Sequence, residues 1–276
     1  MTPILLLGAG RMGGALIQGW RYAGAFSAAD LIVRDPNVDA AADPAVFGGA
    51  LVNPPLEAMS AAQTVLLAVK PQIWREAIKN VVPHLAPDAI IVSIAAGVCA
   101  ADISEAFGGR AVARVMPTTA VAIGRGTASI HAADPTARAA AHALFAPVAT
   151  VVDLDDEELL HAATAVSGSA PAYLYAFVEA LEAAGAGAGL DPAASARLAR
   201  ATIIGAAALM EAGGEEPSEL RKQVTSPGGT TAAALAVLLG QGGFGDLLPK
   251  ALEAAIARSK RVDRWASTAP LPVARA

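Results

Sequence analysis

The N-terminal stretch MTPILLLGAGRMGGAL constrains the fold more than any other part of the chain. A short aliphatic run, Ile4 to Leu7, leads into Gly8, Gly10 and Gly13 at G-x-G-x-x-G spacing and then into a helical pattern. Each glycine has a separate reason in such a strand-turn-helix. Gly8 permits the tight turn, Gly10 lets backbone approach a pyrophosphate, and Gly13 lets the helix pack closely on the sheet. Ala9, Arg11 and Met12 complete the turn, and the amides at the helix start point at the same anion.

The unit then repeats. LIV, TVLLAV, AIIVSI and AVARVM read as buried strands, with helical stretches at 12–22 and 73–81 between them. TASIHA and ATVVDL add two more strands around a helix from Asp134 to Phe145. Strand-helix alternation predicts a doubly wound, mostly parallel sheet, a Rossmann-type α/β domain over residues 1–155. After Asp155 the branched aliphatics give way to Ala, Leu and Glu at helical spacing, which predicts an all-α domain over 156–276. Asp191 and Pro192 open one of its helices and Gly213 and Gly214 close it. The tail STAPLPVARA reads as loose.

Composition excludes several classes of function. Hydrophobic residues are 54% of the chain, but alanine supplies much of this, and no apolar run reaches the length of a spanning helix. The net charge of -5 and 4% aromatics give no footprint for nucleic acid. One cysteine, Cys99, allows no internal disulfide, and the N-terminus carries no basic region or cleavage site. A cytoplasmic location is expected. His84, His131, His142 and His161 lack ligand spacing, so no metal site is expected.

Ligands of a doubly wound sheet lie beyond the carboxyl ends of its strands. Ala68, Val69, Lys70 and Pro71 after one strand, and Ile94, Ala95, Ala96 and Gly97 after the next, are therefore expected to line a dinucleotide crevice. Lys70 is the one charge among them, placed at the nicotinamide or substrate edge or else a surface lysine at a strand end. The second strand ends in both Arg34 and Asp35. An acid here binds a ribose 2'-hydroxyl and an arginine a 2'-phosphate. The side chain that faces the adenosine decides, so NADPH is expected with NADH also accepted.

Four motifs together, GAGRMG at 8–13, AVKP at 68–71, SGSAPAY at 167–173 and VTSPGGTTAAAL at 224–235, resemble the pyrroline-5-carboxylate reductase family. The resemblance spans nearly the whole chain, and the Ser-Pro-Gly-Gly-Thr-Thr loop is its most specific part. It implies reduction of 1-pyrroline-5-carboxylate to L-proline by NADPH or NADH. It also implies a helical C-terminal domain that forms an interlocked homodimer, assembled into decamers in several members. Asn53 falls where the family has an asparagine near the adenosine ribose. One departure is MPTTA, with Thr118 and Ala120 where members often have Asn and Pro.

The loop suits the chemistry without any ionisable side chain. A cyclic imine near neutral pH can take its proton from solvent, and the iminium accepts hydride readily. The protein must then mainly orient the reactants. The substrate carboxylate needs an anion site, which a Gly-Gly turn opening a helix supplies. Gly228 leaves room for a small ligand, the amides of Gly229 and Thr230 are expected to hold the carboxylate, and the Thr231 hydroxyl is expected at the ring nitrogen as the catalytic contact. Ser226 either helps bind the carboxylate or caps the helix, with Pro227 in its first turn. Ser167 or Ser169 is expected to cap the helix at Pro171. The acidic run at 153–159 reads as a solvated helix start. Two other classes remain: another imine or 3-hydroxyacid reductase, which wants a lysine acid in the helical domain such as Lys222 or Lys250, and a non-catalytic dinucleotide sensor, which has no need of a second anion site.

Overall fold

A computed structural model of the chain describes residues 1–38 and 47–268, the side chains of 263–268 excepted. Eight strands form one sheet in the order β3-β2-β1-β4-β5-β6-β7-β8. They are β1 (Ile4–Leu7), β2 (Leu31–Arg34), β3 (Leu51–Val52), β4 (Thr64–Leu67), β5 (Ile90–Ser93), β6 (Val112–Pro117), β7 (Gly126–His131) and β8 (Ala149–Asp153). Every neighbouring pair is parallel except β6 and β7. The two-residue β3 has no counterpart in the expected strands, because two residues carry no periodic signal.

The sheet is covered by α1 (Arg11–Ala23), α2 (Trp74–Lys79), α3 (Ala100–Ala106) and α4 (Pro135–Phe145). All four residues of β1 are buried, as a strand covered on both faces requires. Alternate side chains enter two different cores. Ile4 and Leu6 join Leu16, Trp20, Leu66 and Phe145, while Leu5 and Leu7 join Val65, Trp74, Ile103 and Phe107. Trp20 is fully buried, and its indole Nε1 donates to Leu144 O at 2.7 Å. Asp134 caps α4 through the amides of Thr136 and Ala137. The Thr136 hydroxyl and these amides hold its carboxyl below the usual range.

A short helix α5 (Leu159–Ala163) and a π-turn, Thr164–Gly168, lead into α6 (Ala170–Gly187) and α7 (Pro192–Gly213), followed by α8 (Pro217–Gln223), α9 (Thr230–Leu238) and α10 (Phe244–Thr268). Two compact units result. The first runs from Met1 to Gly168 and takes back the chain from Ile256 onward; the second is Ser169–Ala255. The change in composition at Asp155 therefore precedes the change in packing, because α5 and the end of α10 belong with the sheet. His161 Nδ1 and Ser259 Oγ lie 2.8 Å apart, and Lys260 Nζ lies 3.0 Å from Glu158 Oε2.

Four local expectations change. Glu157 in the acidic run is not simply solvated: its Oε1 accepts from Arg114 Nη1 at 2.8 Å and from the Ala100 amide at 2.7 Å. Neither Ser167 nor Ser169 caps α6 with its side chain, and the Ser167 hydroxyl donates back to Ala163 O at 2.8 Å. Helix α7 is long and apolar enough, by length and composition alone, to cross a membrane, because alanines extend its aliphatic centre on both sides. The end of the tail expected to be loose, 269–276, lies outside the described residues, and Ser267 and Thr268 continue α10.

The second unit buries little. Ser195 and Ala199 are buried on α7, while α6, α8 and α9 bury none of their residues. Ser195 Oγ donates to Glu182 O at 2.8 Å, and Arg200 Nε pairs with Glu182 at 2.7 Å, so α6 and α7 are joined mainly along one seam. Leu198, Ile204 and Leu209 stand exposed.

Candidate active site

The turn after β1 is a bare helix start. Gly8 has φ of 94°, a left-handed conformation, and a Cβ there would lie 2.9 Å from Ala68 O. A Cβ on Gly13 would collide with the carbonyl oxygen of Gly8, so the helix can sit this close to the turn only with glycine. Gly10 starts α1 without a side-chain cap, and a Cβ on it would meet nothing within 4 Å. The Gly14 amide closes the first turn on Gly10 O. Among the described residues the amides of Arg11, Met12 and Gly13 have no partner and present donors to an anion.

The sheet order places this turn at the switch point, since β2 lies on one side of β1 and β4 on the other. Ala68–Pro71 follow β4 and Ile94–Ala96 follow β5 at the same carboxyl edge. Ala95 is buried, with its amide donating to Ser93 Oγ at 3.2 Å, while Lys70 and Ala96 are exposed. A cavity of about 650 Å³ lies elsewhere, lined by Met1, Gln63, Thr64, Ile90 and Thr136 near the amino ends of β1, β4 and β5. It is an open depression remote from the glycine turn. Backbone donors converge instead at the carboxyl edge.

The residues after β2 hold Asp35 and Arg34 differently. Asp35 Oδ2 accepts from the Ala9 amide at 2.9 Å, and its Oδ1 accepts from the Asn37 amide at 2.9 Å. Asn53, with φ of 47°, accepts from the Asp35 amide at 3.0 Å and donates to Asp35 O and Val38 O at 2.9 and 3.2 Å. Arg34 is half-buried, and its guanidinium makes no hydrogen bond or ion pair among the described residues. Its backbone oxygen accepts from the Gly8 amide at 2.9 Å.

Thr118, where the sequence departs from the family pattern, is buried and closes the antiparallel β6–β7 pair. Its Oγ1 accepts from the Thr127 amide at 3.0 Å, and its own amide donates to Thr127 O at 3.0 Å. Cys99 caps α3 by accepting from the Asp102 amide at 3.4 Å, and burial pushes its thiol pKa up. It is therefore kept in the unreactive thiol form.

In the second unit, residues 224–231 form a tight turn into α9. Gly228 has φ of 70°, and Gly229 is the extended N-cap, with no side-chain cap. Ser226 therefore does not cap this helix through its hydroxyl, and Pro227 lies outside it rather than in its first turn. The Gly229 amide is also not available to a ligand, since it donates to Ser226 O at 3.1 Å and closes the turn. The Ala233 amide makes the first helical bond, to Gly229 O, leaving the amides of Thr230, Thr231 and Ala232 without a partner among the described residues. Ala232 was missed from sequence because its side chain carries no chemistry; only the point where the helix begins reveals its amide. Thr231 is half-buried, with its hydroxyl unengaged. A Cβ on Gly229 would collide with Ser226 Oγ.

A curated pyrroline-5-carboxylate reductase from Pseudomonas aeruginosa is 38% identical over 264 residues, covering 94% of this chain and 96% of that protein. This chain belongs to the pyrroline-5-carboxylate reductase family. The family domain described as "Pyrroline-5-carboxylate reductase dimerisation" matches residues 157–262, and that described as "NADP oxidoreductase coenzyme F420-dependent" matches 3–97. Among solved structures, a pyrroline-5-carboxylate reductase from Coxiella burnetii superposes with a TM-score of 0.86 at 28% identity over 95% of this chain and 98% of that one. The Plasmodium falciparum enzyme, with NADP bound, superposes at 0.79 and 26% identity over 95% and 98%.

Membership in the reductase family accounts for the exposed apolar helices. The matched dimerisation region contains α6 to α9, whose apolar side chains find little cover within one chain. The bare start of α9 falls within the same region.

Proposed function

We propose that this enzyme reduces 1-pyrroline-5-carboxylate to L-proline, the final step of proline synthesis, with NADPH as the preferred hydride donor and NADH also used. The reading rests most heavily on the start of α9, where three unpartnered amides and an unengaged threonine hydroxyl meet with no ionisable side chain. A carboxylate is the ligand such a helix start suits. The amides of Thr230, Thr231 and Ala232 hold it, Gly228 and Gly229 keep the approach open, and Ser226 lies beside it. The Thr231 hydroxyl orients the ring nitrogen.

The first unit holds the dinucleotide. The amides of Arg11, Met12 and Gly13 would hold its pyrophosphate, and Ala68–Pro71 and Ile94–Ala96 would line the crevice. The cradle fits, because only glycine at position 13 lets the helix start sit against Gly8 O, and at Gly10 nothing crowds the free amides. Bound there, the reduced nicotinamide supplies hydride to the carbon of the C=N bond. The nitrogen, protonated from solvent, ends as the amine, so the protein needs no strong acid of its own.

The helical unit acts as a homodimer, with α7 and its neighbours covered by a second copy rather than by lipid, and such dimers associate further to a decamer. The enzyme works in the cytoplasm, where a chain with one cysteine has no disulfide to maintain.

Oxidation of NADPH by the purified protein with pyrroline-5-carboxylate, followed by absorbance with proline identified as product, tests the reaction. A protein that binds NADPH without turnover is a sensor, and the proposal fails. Thr231→Ala is expected to lower kcat roughly ten- to hundredfold, the range for one hydrogen bond to a charged group, with NADPH affinity intact. Gly229→Val is expected to raise the KM of the imine acid far more than that of NADPH. Wild-type kinetics in both variants would leave residues 224–231 as an ordinary helix start.

A further inference from the structure

Both oxygens of the Asp35 carboxylate are already engaged within the protein. Oδ2 takes the Ala9 amide, and Oδ1 takes the Asn37 amide and, at 3.3 Å, the Asn37 side-chain nitrogen. Ala9 lies inside the glycine turn, immediately before the free amides of α1. Asp35 thus ties the turn after β1 to the end of β2. Asn53 braces the same point from the chain after β3, with its side chain bonded on both sides of the Asp35 backbone. The Gly8 amide, bonded to Arg34 O, adds a second tie between the two loops. Arg34 contributes its backbone oxygen to this brace and leaves its guanidinium uncommitted.

We infer that Asp35 is a positioning residue for the glycine turn rather than a ligand of the adenosine ribose, and that Arg34 alone selects between NADPH and NADH. This rests on the dinucleotide reading above. In the usual arrangement an acid at the end of the second strand accepts from the ribose 2'-hydroxyl and favours NADH. Here the carboxylate already has three donors of its own, so a 2'-phosphate meets an anion whose charge is held by neighbouring amides. The 2'-phosphate then binds beside an acid that would otherwise repel it. The pyrophosphate, common to both dinucleotides, senses Asp35 only through the Ala9 amide.

The two roles separate in equilibrium titrations of the full-length protein with NADPH and with NADH, read by nicotinamide fluorescence. Asp35→Ala is expected to weaken both dinucleotides by similar factors, roughly ten- to hundredfold, as loss of a hydrogen bond to a charged acceptor allows. Their ratio stays within about twofold, well below a single hydrogen bond's effect. Asp35→Asn keeps an oxygen for the Ala9 amide and restores most of the affinity for both, which general damage to the fold would not predict. Arg34→Ala weakens NADPH by roughly tenfold or more, as for a lost charge-assisted contact, and leaves NADH unchanged. Selective loss of NADH in Asp35→Ala would make Asp35 a ribose ligand and overturn the inference. Selective tightening of NADPH in Asp35→Asn would make its charge, rather than its bonds, the determinant and would also overturn it. Equal losses of both dinucleotides in Arg34→Ala would remove Arg34 as the selector. Because binding is read without the imine acid, failure of turnover bears on the proposed reaction and not on this result.

Discussion

Helix α1 and helix α7 show how differently the two units are held together. Helix α1 buries Leu16, Ile17 and Trp20 against a sheet whose strand β1 is wholly enclosed. Helix α7 is longer, and within one chain it buries only Ser195 and Ala199. Both are apolar, so hydrophobicity alone does not distinguish them. Branched aliphatics in short strands fill both faces of a sheet and close a core within one chain. Alanine-rich helices bring backbones close but leave their outer residues without cover. The first unit thus closes a core within its own chain, whereas the second, which lies within the matched dimerisation region, leaves apolar surface without cover.

The largest expected effect tests that need directly. Ile204→Glu combined with Leu209→Glu places two charges on side chains that are 70% and 67% exposed in a single chain. If a second copy covers them, light scattering should show loss of the dimer, with activity falling by more than roughly a hundredfold, since each buried unpaired charge costs several kcal/mol. Tyr22→Glu, at a site 76% exposed on the first unit, should leave the dimer intact. A stable, active monomer of the double variant would break the comparison.

Trp20→Ala probes the other side. It removes a fully buried side chain and its bond to Leu144 O, with an expected loss of about 3–5 kcal/mol. The loss should be independent of protein concentration in denaturant melts, whereas melting of the helical unit should shift with concentration. A Trp20→Ala midpoint that tracks concentration would mean that the first unit also depends on assembly. The smallest effect is at a helix end. Asp191 accepts from the Ala194 amide at 3.0 Å, and Asp191→Ala should destabilise by about 1 kcal/mol in the same melts. A larger loss would show that the start of α7 does more than begin a helix.

What could be read in the sequence was local. Ile4–Leu7 with Gly8, Gly10 and Gly13 specify strand, turn and helix within a few residues, because branched side chains, left-handed backbone and free amides act at short range. Asp134, Asp191 and Gly214 mark helix ends for the same reason. The Ser-Pro-Gly-Gly-Thr-Thr run marked a turn into a helix, but not which amides stay free. That depends on α9 starting at Thr230 and on Ser226 O taking the Gly229 amide. Asp35 and Arg34 are neighbours in sequence, and the pairing of β1 with β2 is what brings the Ala9 amide to the Asp35 carboxylate. Glu157 likewise reads as one more acid in a run until folding brings Arg114 and the Ala100 amide to it. Sequence by itself determined the family and the main strands and helices, because each is written in contiguous motifs. Tertiary structure decided the partner of each polar group, because a hydrogen bond forms with whatever the fold brings within about 3 Å, however far apart the two residues lie along the chain.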